Sequence, residues 1–586
     1  MTSKHFINDP THLVLSALKS ITITNPTTAL DIENKVIYLR PDAAKPQVSL
    51  VSGGGSGHEP SFAAFVGRGL LSAAVAGTIF ASPSAEQIRR CILQRVEASK
   101  GVLVVVMNYT GDVLNFGMAV EKAKASGMEV EMVVMGDDAG VGREKGGKVG
   151  RRGIAGTVLV HKIAGALAAE GASLKEVYKI AELVADNTVS IGSSLSHVHV
   201  PGRGPLEEEL KEDEIEIGMG IHNEPGSEKT KADLPGNVKT MLKYLLDQSD
   251  KDRAFMSVSG SDETVLLVNN LGGISVLELG GITTEVVTQL EKEYGIKPAR
   301  VLAGTFMTSL NGLGFSISIL KTQSSGVSKS MIELLDAPAE CAGWSAPISS
   351  STWRKPPTQT RHQGSATEGE NKPCGLEFDP AVATKALKLA LERVIKAEPE
   401  ITHYDTVVGD GDCGIGLKRG AEGVLSALNS AQQQKDAALY LDKIISVVEN
   451  TMDGTSGALY AIFLNALAHG LRSQGSAASS ASKPADAKVW AKALQIASAS
   501  MAKYTPAKPG DRTLVDALVP FVDTLGETGD VRKAAQAAEG GAIGTKGMKA
   551  SLGRTVYIGG SGYEEVPDPG AYGLAEFFKG LAEGLN

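Results

Sequence analysis

Apolar runs of strand length recur through the first half of the chain: QVSLV at 47–51, GVLVVVMN at 101–108, VEMVVMG at 130–136 and TVLLVNNLGG at 264–273. Between them lie stretches with the helical spacing of apolar residues, at 114–126 and 174–187. This alternation predicts an α/β architecture with largely parallel sheets. After residue 372 the pattern changes. Segments 380–397, 424–431, 439–452, 485–501 and 513–525 read as amphipathic, Ala-rich helices with scarcely a strand between them. The two regimes are separated by SAPISSSTWRKPPTQTRHQGSATEGENK, residues 345–372, which lacks an apolar period and has linker composition. The expected organisation is therefore an α/β domain at 1–344, a linker at 345–372 and an all-helical domain at 373–586. The acidic run at 207–216 reads as a solvated connector that splits the first domain into lobes at about 1–190 and 216–344.

At 586 residues the chain is long enough for several cores, and 42% hydrophobic with 21% charged residues excludes global disorder. The 67 glycines follow no G-X-Y period, which points to turns and close ligand approaches. With 58 basic and 67 acidic residues the net charge is −9, so no general attraction to polyanions exists and nucleic acid is not an expected partner. No apolar stretch approaches membrane-spanning length, and the opening MTSKHFINDP has no apolar signal core. Cys91, Cys341, Cys374 and Cys413 are too dispersed for a disulfide framework or zinc site, and the expectation is a reducing cytosol.

Several stretches could carry chemistry. GREKGGK at 142–148 approaches a P-loop, but Val149 offers no metal ligand and Asp137 and Asp138 precede it, so it reads as a basic surface loop. HYDTVVGDGDCGIG places Asp405, Asp410 and Asp412 within eight residues. Carboxylates would repel a dinucleotide's pyrophosphate but suit Mg²⁺, which bridges hard oxygen ligands to substrate phosphates; the alternative is an Asx-rich turn between helices. GTSGALY offers Thr455 and Ser456 to phosphate oxygens, or is an ordinary capped helix start. GRTVYIGGSG, with Arg554, and PDPGA, with Asp568, Pro569 and Gly570, are turns that could hold a base or ribose.

Upstream, QVSLV runs into SGGGSGHEP and then towards an expected helix at SFAAF. A glycine-rich turn at the carboxyl end of a strand is where α/β folds place ligands, and His58 can move protons there. Asp112 in NYTGD likewise follows a buried strand, where a general base could stand. GMGIHNEPG carries His222, whose neutral imidazole can add to a carbonyl, whereas His197 and His199 read as structural.

Taken in order, SGGGSGHEP, NYTGDVLNFG, GRRGIAGTVLVHK, GIHNEPG, GDGDCG, GTSGALY and DPGA resemble the single-chain ATP-dependent dihydroxyacetone kinases, also called glycerone kinases or triokinases, across nearly the whole chain. The resemblance implies an α/β substrate domain of two lobes and a helical-barrel nucleotide domain. It implies that His222 binds the ketone carbon as a hemiaminal, that Gly55, Ser56, Gly57 and His58 form the substrate loop, and that Asp112 assists deprotonation of the attacking hydroxyl. It further implies that Asp405, Asp410 and Asp412 hold two Mg²⁺ ions on ATP, with Cys413, Gly414, Ile415, Gly416, Thr455, Ser456, Arg554, Asp568, Pro569 and Gly570 around the nucleotide. A hemiaminal rejects glycerol, which has no carbonyl. Where the family usually has a substrate-touching Lys, this chain has Met107, which cannot donate a hydrogen bond. The expected activity is phosphorylation of dihydroxyacetone, with glyceraldehyde as a further acceptor, by a cytosolic homodimer of glycerol metabolism. A lyase reaction on a flavin dinucleotide is a side activity of some relatives. The reading from another class is a non-catalytic carbonyl sensor or regulatory partner.

Overall fold

A computed structural model describes residues 4–41, 46–204, 210–324, 326–327, 329–345, 348–354, 372–431, 434–452, 454–475, 483–552 and 563–585. The chain divides into two compact units, Met1–Thr360 and Arg361–Asn586, at a point within 345–372.

The first unit opens with α1 (Pro10–Thr24), β1 (Thr28–Asp31), β2 (Val36–Leu39), β3 (Ser49–Ser56), β4 (Ala73–Ile79) and α2 (Ala85–Gln94). It continues through β5 (Val102–Met107), α3 (Thr110–Ala125), β6 (Val130–Met135), the single turn α4 (Arg143–Gly146), α5 (Thr157–Ala169) and α6 (Leu174–Asp186). Its sheet has the order β1-β2-β4-β3-β5-β6, and β4, β3, β5 and β6 run parallel. β5 is buried along its whole length, as a central strand covered on both faces must be. Ser173 and Glu176 form a reciprocal capping box that fixes the start of α6.

A second sheet follows, from β7 (Thr188–Ser194), β8 (Ile215–Ile217), β9 (Glu228–Thr230), β10 (Thr264–Asn270), β11 (Arg300–Gly304) and β12 (Gly314–Lys321), in the order β11-β10-β12-β7-β8-β9. It differs from the expectation of largely parallel sheets. Only β10 and β11, joined through α8 (Val276–Tyr294), are parallel; every other neighbouring pair is antiparallel. Parallel pairing needs a long crossover, and the connections at 195–214 and 305–313 supply no helix among the described residues.

The two sheets share one core. In α5, all residues from Thr157 to Ala168 are buried, and its apolar side chains join Leu103 and Val105 of the first sheet with Val265, Leu267 and Leu320 of the second. The lobe limits accordingly shift from the expected ones: β7 already belongs to the second sheet, and the chain after α9 (Met331–Asp336) returns to the first lobe. Lys162 Nζ donates to the Leu334 carbonyl at 2.8 Å, and Gly343 N donates to the Ala64 carbonyl at 2.9 Å. α7 (Leu234–Leu246) covers the other face of the second sheet, and a short α10 (Ser350–Arg354) is the last described element of the unit.

The second unit is a ring of eight described helices: α11 (Pro380–Val408), α12 (Cys413–Ala431), α13 (Ala437–Thr451), α14 (Gly454–Gln474), α15 (Ala487–Met501), α16 (Val515–Thr528), α17 (Val531–Gly544) and α18 (Pro569–Gly584). Each packs on the next, and α18 closes on α11. Closure is tight because Gly580 and Gly584 let the backbone of α18 approach Ala390 and Ala386, where a Cβ would collide. Asp379, Asp436, Asp486, Asp530 and Asp568 cap the amino ends of five helices. The ring encloses an apolar cavity of about 650 Å³, lined by residues such as Leu391, Leu441, Phe463, Leu518 and Phe577. α11 runs well beyond the predicted 380–397, through Pro399 to Val408, which puts Asp405 on its last turn.

Candidate active site

Gly53, Gly54 and Gly55 of SGGGSGHEP are part of β3 rather than of a turn after it, and only Gly57 follows the strand. Gly53 and Gly55 bring β3 against Val75 and Ala81 at distances that exclude a Cβ, and Gly57, at φ +105°, turns beneath the Phe80 ring. The helix expected at SFAAF is only a 3₁₀ turn, Ala63–Phe65. This path buries His58 completely. Its Nδ1 lies 2.9 Å from the Thr308 carbonyl, and its Nε2 lies 3.0 Å from Nε2 of His222. Burial, with the charge of His222 adding to it, pushes His58 down to about 3.

His222 is gripped on several sides. Glu224 Oε1 is 2.9 Å from its Nδ1, and the rings of Phe80 and Tyr109 meet it edge-to-face at centroid distances of 5.2 and 4.7 Å. Loop 308–310 stitches both histidine loops together. Leu310 N donates to the Gly57 carbonyl at 2.7 Å, and Ser309 Oγ donates to the Ile221 carbonyl at 2.6 Å.

Asp112, on the first turn of α3, is also buried, and its Oδ1 has no hydrogen-bond partner among the described residues; the Tyr109 hydroxyl is in the same position. Burial raises the Asp112 carboxyl above its ordinary range, against the lowering effect of a hydrogen bond from Ser82 and of the His222 charge. Two unsatisfied buried oxygens beside a histidine pair are the donor and acceptor a small polyhydroxy ligand needs. Met107 is placed elsewhere. It is 1% exposed and shares the apolar core with Leu103, Val105 and Met135, an environment for packing and not for holding substrate oxygens.

In the second unit, Asp405, Asp410 and Asp412 bring carboxylate oxygens within 4.8 Å of one another. Asp405 is buried and accepts the backbone N–H of Cys413 at 2.9 Å; Asp410 and Asp412 are exposed. Three hard, anionic oxygens at this spacing fit Mg²⁺. Cys413, Gly414, Ile415 and Gly416 form the first turn of α12, Thr455 and Ser456 that of α14, and Asp568, Pro569 and Gly570 begin α18. α12 packs on both α14 and α18, and Cys413 is reached by a hydrogen bond from Ser456 and by the charges of Asp405 and Asp568, so three helix amino ends, positive poles that suit anionic oxygens, meet there. Burial pushes the Cys413 thiol up to about 12, with Asp405 and Asp568 adding, and pushes the Asp568 carboxyl up to about 7. Arg554 lies outside the described residues.

The structure thus brings together His58, His222 and Asp112 in one place and the three aspartates with three helix starts in another. Sequence reading missed Glu224, Tyr109, Phe80, Thr308 and Ser309. Of these, Glu224, two residues from His222 in GIHNEPG, and Tyr109, three residues before Asp112 in NYTGD, carried a signal. His197 and His199 are structural, as expected: His197 pairs with Glu216 at 2.9 Å, and His199 contacts His5 and the Arg203 carbonyl.

Fold and sites define a two-domain chain of a known class: residues 19–343 match the model of the Dak1 domain and residues 407–583 that of the DAK2 domain. The chain is 43% identical to dihydroxyacetone kinase 1 of Saccharomyces cerevisiae and 38% identical to the triokinase/FMN cyclase of Homo sapiens, with 100% of this chain and 100% of each relative covered. The crystal structure of the dihydroxyacetone kinase from C. freundii in complex with AMP-PNP and Mg²⁺ superposes with a TM-score of 0.64 at 31% identity, covering 99% of this chain and 100% of that one. The chain belongs to the dihydroxyacetone kinase family.

Proposed function

We propose that the protein is an ATP-dependent kinase of dihydroxyacetone, accepting glyceraldehyde as a further triose, and that it holds the ketone as a hemiaminal on His222. The observation that carries the covalent reading is the Nε2–Nε2 contact of 3.0 Å between His58 and His222, flanked by the rings of Phe80 and Tyr109. Nε2 of His222 adds to the carbonyl carbon, the π pair moves to oxygen, that oxygen takes a proton from solvent water, and Nε2 of His58 accepts a hydrogen bond from the resulting hydroxyl. The covalent bond fixes a ligand too small to be held strongly by contacts alone. Asp112, with its raised affinity for protons and an unpartnered Oδ1, accepts the proton of the hydroxyl to be phosphorylated.

Asp405, Asp410 and Asp412 would hold Mg²⁺, which when bound neutralises charge on the phosphates of ATP during transfer. The amino ends of α12, α14 and α18 orient the nucleotide through Cys413 to Gly416, Thr455, Ser456 and Asp568 to Gly570. The Asp cluster also favours a kinase over a non-catalytic carbonyl sensor, which has no use for a tricarboxylate site. The remaining parts of the proposal rest on the family resemblance: two Mg²⁺ ions, a homodimer, a cytosolic location and a place in glycerol metabolism. The decisive experiment measures ADP release with dihydroxyacetone, with glycerol and with no acceptor. Release with the ketone alone supports the proposal; equal release in all three arms overturns it.

A further inference from the structure

Capture by His222 requires that one particular ring nitrogen present its lone pair, and the surroundings of the other nitrogen determine which. Glu224 uses both oxygens on His222: Oε1 lies 2.9 Å from Nδ1, and Oε2 accepts the backbone N–H at 3.0 Å. A carboxylate only accepts, so Nδ1 carries a proton and Nε2 is left with its lone pair. His58 is fixed in the same way at its far side, because its Nδ1 faces the Thr308 carbonyl at 2.9 Å. The two Nε2 atoms stand 3.0 Å apart, which places His58 beside the atom that His222 uses for capture.

Glu224 is itself held in place. Arg152 Nη1 stands 4.0 Å from its Oε2, while the same guanidinium bonds buried Asp138 at 2.8 Å and the Gly218 carbonyl at 2.7 Å. Gly220 leaves the necessary room, since a Cβ there would run into both Glu224 Oε2 and Arg152 Nη1. Burial opposes charge on Glu224, yet the hydrogen bond and charge of His222 hold its carboxyl down at about 2.

We propose that Glu224, steadied by Arg152, is a positioning residue for covalent capture: it fixes the Nδ1–H tautomer of His222, turns the Nε2 lone pair to the carbonyl and balances the charge left on the ring. The proposal rests on the hemiaminal reading given above. In the step itself the Nε2 lone pair becomes the N–C bond and the carbonyl π pair becomes an oxygen lone pair. The oxygen takes a proton from solvent water, and the alkylated ring, now positive, keeps its Nδ1 proton against the Glu224 carboxylate.

The test titrates full-length wild type, E224A and E224Q with [2-¹³C]dihydroxyacetone and follows the conversion of the ketone carbon signal to that of a saturated carbon. Loss of one hydrogen bond to a charged group predicts an apparent affinity about 10- to 150-fold weaker in E224A. KM for ATP and the melting temperature should stay near wild type, which separates positioning from a merely structural role. E224Q, whose amide oxygen still accepts from Nδ1 but carries no charge, should recover part of the affinity. Wild-type affinity in both variants overturns the proposal alone, whereas no adduct in the wild type overturns the hemiaminal reading and this proposal with it. If E224A does not fold, E224Q decides: weaker capture supports the role, and unchanged capture removes it.

Discussion

Nε2 of His58 and Nε2 of His222 meet at 3.0 Å across 164 residues of sequence. Loop 308–310 bonds both histidine loops and so holds the two rings together. Preorganisation of this kind lowers the ordering cost of capture.

Replacing His222 by Ala should abolish the adduct while leaving the second unit's ATP binding intact. The saturated carbon signal should disappear and KM for the ketone should rise at least tenfold, about 1.4 kcal/mol in binding. An adduct that persists in His222→Ala would assign the nucleophile elsewhere.

Asp410→Asn removes one formal charge from the carboxylate cluster at the end of α11 while keeping the side chain's shape. Affinity for Mg–ATP and turnover should both fall, by at least tenfold each, with an unchanged melting temperature. Calorimetry with Mg–AMP-PNP checks the binding part directly.

Met107→Lys should destabilise the protein and bring no gain in triose affinity. The side chain is 1% exposed in an apolar core, so an ammonium there is either buried unpaired or forces the strand end open, at a cost of several kcal/mol. A well-folded variant with tighter ketone binding would show that residue 107 reaches the substrate after all.

His161 is fully buried with no hydrogen-bond partner among the described residues at either nitrogen, and burial pushes it down to about 3. The folded state keeps it neutral while the unfolded chain takes up a proton below its ordinary value of 6.5. Stability is therefore lost as the pH falls from 6.5 towards 3, by up to about 1.4 kcal/mol per pH unit for this one proton. His161→Leu should flatten that part of the melting-temperature profile; a profile parallel to wild type would contradict it.

Chain order and local pattern made much of this legible. Strand β5, helix α6 and the aspartate-rich turn after α11 stand where apolar period and composition placed them, because each is decided by neighbours within a few residues. The antiparallel second sheet was not legible, since strand direction depends on how a distant connection returns. Nor were Thr308 and Ser309, whose roles depend on contacts with His58 and Ile221, 250 and 88 positions away. Met107 shows the converse: a motif position suggested contact with ligand, while strand alternation put it on the core side with Leu103 and Val105.

The closure of α18 on α11 has a topological consequence. Gly584 lies against Ala386 and Gly580 against Ala390, so the two helices run in opposite directions and the last residues of the ring finish beside its first. A circle of helices whose ends adjoin has no obligatory starting point. Joining residue 585 to 373 by a short peptide and cutting the chain between α15 and α16 would give a circular permutant with the same helix neighbours, in which the order of synthesis no longer decides which helix closes the ring.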